Sequence, residues 1–126
     1  MTDFYCYTAG PLSGDPGEYL ANVAWLSQVS RGLMSYGFIP INPAGDMLEG
    51  LASEYPLEVR DYQRRSLALL RLLEGRNGCL YVTRLCHRDG RESIGVRAEI
   101  EEATRLGIPI AYELRQVERL AEGKTS

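Results

Sequence analysis

Hydrophobic residues recur along the chain in two patterns, which together predict four strands and four helices. Short apolar runs rich in aromatic and β-branched residues predict buried strands, and longer runs with apolar residues three or four positions apart predict helices that pack against them. The predicted strands are residues 4–9, 38–41, 79–83 and 108–112, and the predicted helices are residues 16–36, 56–75, 94–106 and 114–121.

The order of these elements predicts the fold. Strand and helix alternate throughout, which is typical of a mostly parallel sheet with helices on both faces. We therefore expect an α/β chain with a single domain over residues 1–126, folded as a flavodoxin- or Rossmann-like three-layer sandwich with four or five strands. In such sheets ligands bind beyond the carboxyl ends of the strands, so we expect a site among the loops 10–15, 42–55 and 84–93.

Composition and charge narrow the class of protein. The 126 residues are 44% apolar and 25% charged, with a net charge of −3, as in an ordinary globular chain. No basic block stands out, so we do not expect the chain to bind a nucleic acid polymer. There is no apolar run of about 18 residues and no secretory signal before the first strand, so we expect a cytoplasmic protein with no membrane contact.

The three cysteines and the single histidine form no recognisable motif. Cys6 and Cys79 lie in apolar strand segments, so we expect them to be buried, reduced thiols. Cys86 and His87 are adjacent potential metal ligands, but no further ligand follows at the spacing of a zinc site. We therefore expect no metal, and a surface position for His87.

One carboxylate stands on the apolar side of the third predicted helix. With Ser93 as the N-cap and 100° per residue, the apolar residues of this helix share one arc, formed by Val96, Ile100, Ala103 and Leu106. Glu99 falls inside that arc, whereas the other charged residues of the helix point to solvent. An ionised carboxylate on a buried face costs several kcal/mol unless a partner satisfies it. We therefore predict that Glu99 belongs to a functional site.

Two loops and two isolated side chains are further candidates. The loop Gly10–Gly14 and the segment Ser93–Gly95 each lead into a helix start, where free N–H groups bind anions, although each also fits a plain turn or cap. Tyr7 is either a core aromatic residue or a hydrogen-bond partner for a carboxylate such as Glu99. Ser66 lies within the apolar arc of the second helix, where a serine often bonds back to a carbonyl.

Five segments carry a wider pattern, and they follow one another in a fixed order: Tyr7-Thr-Ala-Gly-Pro-Leu-Ser-Gly14, Asn22, Gly37-Phe-Ile-Pro-Ile-Asn-Pro43, Arg65-Ser-Leu-Ala-Leu-Leu70 and Ser93-Ile-Gly-Val-Arg-Ala-Glu99. Together they resemble the nucleoside 2-deoxyribosyltransferase-like superfamily, and most closely its small phage and bacterial members. Nucleotide N-glycosidases such as the 5-hydroxymethyl-dUMP hydrolase are similar at a greater distance. The resemblance covers about residues 4–112.

The resemblance implies cleavage or transfer at the N-glycosidic bond of a nucleoside or nucleoside 5′-monophosphate, with no cofactor. Glu99 takes the place of the family's glutamate nucleophile, and Tyr7 that of the tyrosine that contacts it. Ser93 and Gly95 correspond to the phosphate-binding segment. The other substrate-binding candidates are Gly10, Pro11, Leu12, Ser13, Gly14, Asn42 and Ser66. The family commonly forms dimers with composite sites, so a homodimer or higher homo-oligomer is expected.

One position departs from the family pattern. The better-studied members carry an aspartate on the second helix that handles the proton of the leaving base, and Ser66 stands at that position here. Serine is a poor general acid at neutral pH. Asp46, Glu49 and Glu54 are other candidate acids, whereas Asp61 is predicted to face solvent. A non-catalytic nucleotide-binding or signalling domain therefore stays open as an alternative, as does a small α/β interaction protein.

Overall fold

The strands form from short apolar segments, as the sequence pattern predicts. The structure, a computed structural model, describes residues 3–12, 15–45, 54 and 57–123. In these residues the strands are β1 (Tyr5–Ala9), β2 (Ile39–Ile41), β3 (Gly78–Val82) and β4 (Ile110–Ala111). They pair in parallel as one sheet in the order β2-β1-β3-β4. The predicted fold class, a Rossmann- or flavodoxin-like α/β sandwich, is confirmed.

Four helices occur in the described ranges: α1 (Pro16–Ser35), α2 (Val59–Arg71), α3 (Ile94–Leu106) and α4 (Leu114–Ala121). A short 3-10 turn over Pro43–Gly45 follows β2. Asp15 caps α1 by accepting a hydrogen bond from Glu18 N–H at 2.8 Å, and Ser93 caps α3 in the same way. Within these ranges, no helix combines the length and the apolar character that a membrane crossing needs.

Two elements are shorter than their apolar patterns predict. α2 begins only at Val59, because Glu58 and Asp61 form a reciprocal capping box in which Glu58 N–H donates to Asp61 Oδ2 at 3.0 Å. β4 begins only at Ile110, because Ile108 N–H donates to Ala103 O at 2.9 Å and so closes the end of α3. In both cases a local hydrogen bond keeps residues out of the helix or strand to which hydrophobicity alone assigns them.

Side chains that alternate along β1 and β3 divide the core into two layers. The face covered by α2 and α3 buries Tyr7, Leu70, Leu80 and Val96. The face covered by α1 and α4 buries Cys6, Leu33, Cys79 and Val117. Cys6 and Cys79 are buried free thiols, as expected from the sequence. The alternation places Tyr7 on the same side of the sheet as α3, which carries Glu99.

The strand order reverses between β1 and β3. The chain leaves β1 for the edge strand β2, then returns past β1 to form β3 on its other side. The connections on the two sides of this point run over opposite faces of the sheet, which opens a crevice at the carboxyl ends of β1 and β3. The segment after β1 and the loop between β3 and α3 both border this crevice.

Candidate active site

A cavity of about 440 Å³ opens at the crevice between β1 and β3. Its lining combines residues from several parts of the chain: Gly10 and Leu12 after β1, Tyr19 of α1, Pro43 after β2, Tyr62, Gln63 and Ser66 of α2, the N-cap Ser93, and Gly95 and Glu99 of α3. The volume lies in the range of small-molecule sites, which are mostly apolar with a few polar groups. The cavity therefore has the size and position of a ligand site.

Glu99 is the carboxylate that the described residues bring to this cavity. Glu99 is 9% exposed and lies on the inner face of α3 with Val96 and Ala103, as the helical periodicity predicts. Burial raises the pKa of Glu99 to about 7, and a hydrogen bond with Tyr7 opposes this rise. Within the described ranges no cation forms an ion pair with Glu99. The protonated and ionised forms of Glu99 therefore coexist near neutral pH.

Tyr7 lies fully buried beneath Glu99. It stands opposite Leu80 in the register of β1 and β3, so its ring packs in the layer between the sheet and α3. The Tyr7 side chain lowers the pKa of the Glu99 carboxyl and so opposes the effect of burial. Tyr7 is thus both a core aromatic residue and the partner of Glu99, which were the two alternatives left open by the sequence.

The start of α3 presents backbone N–H groups beside Glu99. Ser93 Oγ accepts from Val96 N–H at 3.2 Å, and Ser93 O accepts from Arg97 N–H at 3.0 Å. Helix geometry leaves the N–H groups of Ile94 and Gly95 without an intrahelical acceptor, and both residues line the cavity. A Cβ added to Gly95 would meet only Ser93 Oγ, at 3.9 Å, so packing inside the protein does not require glycine there. This end of the helix favours an anion.

The turn that leads into α3 is held by its own hydrogen bonds. Ser93 N–H donates to Leu85 O at 3.1 Å, and Arg97 pairs with Glu92 at 2.9 Å. Cys86 and Glu92 form an antiparallel bridge across the turn. His87 is half-buried here, and its N–H donates to Arg91 O across the turn at 2.7 Å. The described residues contain no group of three or more His, Cys, Asp or Glu placed to hold a metal.

α2 forms an apolar wall with two polar groups in it. Gln63 and Ser66 both line the cavity, and neither side chain makes a hydrogen bond within the described ranges. The back-bond to a carbonyl that the sequence allowed for Ser66 is therefore not formed. Val59 was expected on the buried face, but it is 72% exposed and lies at the cavity rim. Gln63 was missed by sequence reasoning, although it stands on the same helical arc, four residues after Val59 and three before Ser66.

The segment after β1 contributes to the cavity as predicted for Gly10 and Leu12, with Pro11 buried between them. Asn42 does not line the cavity, since its Oδ1 accepts from Ala44 N–H at 3.0 Å and the neighbouring Pro43 takes the lining position.

Several candidate residues predicted from the sequence either do not line the cavity or lie outside the described residues. Ser13, Gly14, Asp46 and Glu49 lie outside the described residues. Glu54 and Asp61 are exposed, and neither lines the cavity. No second carboxylate from the described residues therefore accompanies Glu99 in the lining.

Comparison of the chain with models of known protein families, with curated proteins and with solved structures found no match.

Proposed function

We propose that the protein breaks the N-glycosidic bond of a nucleoside or nucleoside 5′-monophosphate, with Glu99 as the nucleophile. The observation that carries the proposal is a buried carboxylate with no cation beside it in the described residues, whose pKa responds to Tyr7, in the wall of a ligand-sized cavity. The resemblance of the segments around Tyr7 and Glu99 to a family of N-glycosidic enzymes supports the choice of reaction.

The proposed reaction proceeds through a covalent intermediate. An oxygen of the Glu99 carboxylate attacks the anomeric carbon, the bond from that carbon to the base nitrogen breaks, and its electron pair leaves with the base. The sugar ring carries positive charge in the transition state, and the ionised Glu99 stabilises that charge. Water then attacks the same carbon, the bond from that carbon to the Glu99 oxygen breaks with its electron pair returning to the carboxylate, and the proton of the attacking water goes to solvent. A second base in place of water gives transfer instead of hydrolysis.

The proton balance of this reaction depends on Glu99 and Ser66. Only ionised Glu99 acts as a nucleophile, and the hydrogen bond from Tyr7 favours that form. Ser66, on the α2 wall, is not an acid at neutral pH, so the departing base takes its proton from water. This arrangement favours substrates whose base leaves without prior protonation.

The remaining polar groups of the cavity suit the other parts of a nucleotide. The N–H groups of Ile94 and Gly95, with the Ser93 hydroxyl, suit a 5′-phosphate at the start of α3. The ring of Tyr62 and the amide of Gln63 lie on the α2 wall, where an aromatic face and a donor–acceptor pair suit a nucleobase.

A second candidate is a domain that binds nucleotides without turning them over. Ser66 favours it, because the described lining of the cavity offers no acid to protonate a leaving base. The cavity and the start of α3 would serve binding equally well, whereas a buried Glu99 with no cation beside it in the described residues has no evident use in it.

The test is an assay for free base with a panel of nucleosides and 5′-monophosphates. Glu102, three residues after Glu99 on α3 and paired with Arg71 and Arg105, offers a matched control. We expect Glu99→Gln to lower kcat by at least about 10³-fold, the scale of losing a nucleophile, and Glu102→Gln to leave it within about threefold. Adding an acceptor base to the same assay separates hydrolysis from transfer.

Two outcomes would reject the enzymatic proposal. Base release that persists at the wild-type rate in Glu99→Gln would exclude Glu99 as the nucleophile. Calorimetric binding of a nucleotide with no base release by the wild-type protein, unchanged in Glu99→Gln, would favour the binding domain instead.

A further inference from the structure

A set of hydrogen bonds behind the cavity joins the ends of β1 and β3 to α1. Thr83 follows β3, and both its N–H and its hydroxyl donate to Ala9 O, at 2.8 and 2.9 Å. The same hydroxyl accepts from Trp25 Nε1 at 3.3 Å. The Thr83 hydroxyl thus donates a hydrogen bond to β1 and accepts one from α1, and the two bonds together fix its orientation.

Gly10 makes room for this hydroxyl. A Cβ added to Gly10 would lie 2.9 Å from Thr83 Oγ1 and 3.2 Å from Leu26 Cδ2. The space behind the Gly10 backbone is therefore already occupied by Thr83 and by the buried Leu26 of α1. The opposite side of Gly10 faces the cavity. The path of the chain at Gly10 is consequently fixed from behind.

α1 holds the next part of the same wall. Asn22 Nδ2 donates to Leu12 O at 3.4 Å, and Trp25 stands three residues later, on the same side of the helix. The Arg84 guanidinium covers the ring of Trp25 at 4.2 Å, which keeps the indole in place. In the described residues Asn22, Trp25 and Thr83 all lie outside the cavity lining. Asn22 nevertheless bonds to Leu12, and Thr83 bonds to Ala9, the residue before Gly10. Trp25 bonds to Thr83.

We propose that Thr83, Trp25 and Asn22 are positioning residues that set the Gly10–Leu12 wall relative to Glu99, and so place the sugar of the substrate for attack. The inference rests on the proposed function. Its physical basis is that displacement at a carbon needs the reacting atoms about 3–3.5 Å apart, and that a 1 Å misplacement costs about 10²-fold in rate. If the Gly10–Leu12 wall moved, the cavity would still bind the same nucleotide, but the anomeric carbon would no longer be aligned with Glu99.

The experiment compares Thr83→Val, which keeps the shape and removes the hydroxyl, with Thr83→Ser, which keeps the hydroxyl. Thr104→Val is the matched control, because the Thr104 hydroxyl also donates to a backbone carbonyl, Ile100 O at 2.8 Å, on the exposed side of α3. We expect Thr83→Val to lower kcat at least about tenfold with KM within about threefold. Thr83→Ser and Thr104→Val should stay within about twofold of wild type. Rates are taken per folded protein, well below the unfolding temperature.

Hydrogen exchange tests the same wall without any substrate. We expect the backbone N–H at position 83, which donates to Ala9 O at 2.8 Å, to lose at least about tenfold of its protection against exchange in Thr83→Val, and to keep the wild-type protection in Thr83→Ser and Thr104→Val. Trp25→Phe, which keeps the ring beneath Arg84 but loses the N–H donor, should give a smaller change in the same direction.

The two measurements separate this inference from the proposed function. Unchanged exchange of the backbone N–H at position 83 in Thr83→Val would overturn the positioning role even in an active enzyme, as would equal damage to kcat by Thr83→Ser and Thr83→Val. A wild-type protein that releases no base would instead overturn the proposed function, and the exchange rates would still decide whether Thr83 holds the wall.

Discussion

Two glutamates on α3, three residues apart, lie in opposite electrostatic environments. Glu102 bonds to Arg105 at 2.9 and 3.0 Å and to Arg71 of α2, and these hydrogen bonds lower its pKa to about 2. Glu99 lies against Tyr7 and the cavity, and burial raises its pKa to about 7. The same side chain on the same helix is fully ionised at one position and poised near neutrality at the other.

The difference shows that the neighbouring groups and the burial of a carboxyl group, not the helix that carries it, set its pKa. Glu102 pairs with Arg71 of α2 and does not line the cavity. Glu99 has no such partner in the described residues, and its charge is available to a ligand. The stability experiments that follow use one glutamate as the control for the other.

The largest expected effect is on the pH dependence of stability. The pKa of Glu99 is raised from 4.5 to about 7 by folding, so its contribution is fully present below pH 4.5 and is lost as the pH rises through 7. Ionising it inside the folded protein costs about 3 kcal/mol. The wild-type free energy of unfolding should therefore fall by about 3 kcal/mol more than that of Glu99→Gln between pH 4.5 and pH 8, measured by urea denaturation.

Glu102→Gln sharpens the same comparison, because the sign is reversed. The lowered pKa of Glu102 gives stability that is present at neutral pH and lost as the pH falls toward about 2. Glu102→Gln should therefore keep the loss of stability between pH 4.5 and about pH 7 that Glu99→Gln removes. If both variants keep that loss, Glu99 is not the group that titrates there.

The second expected effect is on the pH dependence of catalysis. Because the ionised form of Glu99 attacks, kcat/KM should rise with pH and level off above about pH 7, and it should be about a hundredfold below the plateau at pH 5. Tyr7→Phe removes the hydrogen bond that lowers this pKa, so it should move the rise to higher pH. A rate that instead falls as the pH passes 7 would assign Glu99 the role of a proton donor.

The smallest expected effect concerns the general acid for the leaving base, which the described lining of the cavity does not contain. Ser66→Asp places a carboxyl group on the α2 wall of the cavity. It should raise kcat at least about tenfold for substrates whose base leaves poorly without protonation, and change little for the others. Ser66→Ala is the control and should match wild type. A large loss of activity in Ser66→Ala would show that the hydroxyl itself takes part in the reaction.

The central features of the site could be predicted from short-range patterns. Ser93 and Gly107 bound α3, and helical periodicity alone places Glu99 on its buried face. The alternation of strands and helices then locates that face at the ligand-binding edge of the sheet. Each of these inferences needs only residues within one or two helical turns, or the order of the elements.

The rest depends on contacts between residues far apart in the chain. The bond between Trp25 and Thr83 joins residues 58 positions apart, and no local pattern indicates it. Val59 is apolar and lies in phase with the buried face of its helix, yet it is 72% exposed because the cavity opens where its partners would be. The raised pKa of Glu99 likewise comes from burial against Tyr7, which periodicity suggests but cannot quantify.

The most direct test of Glu99 as the nucleophile is to trap its ester with a sugar. A nucleoside with fluorine at the sugar 2-position slows hydrolysis, because fluorine destabilises positive charge on the ring, and the quenched protein is then weighed by mass spectrometry. We predict a mass gain of one fluorinated glycosyl group on the peptide that contains Glu99, absent in Glu99→Gln and present in Glu102→Gln. Release of the base with unmodified protein, or a label on another residue, would contradict the nucleophilic role of Glu99.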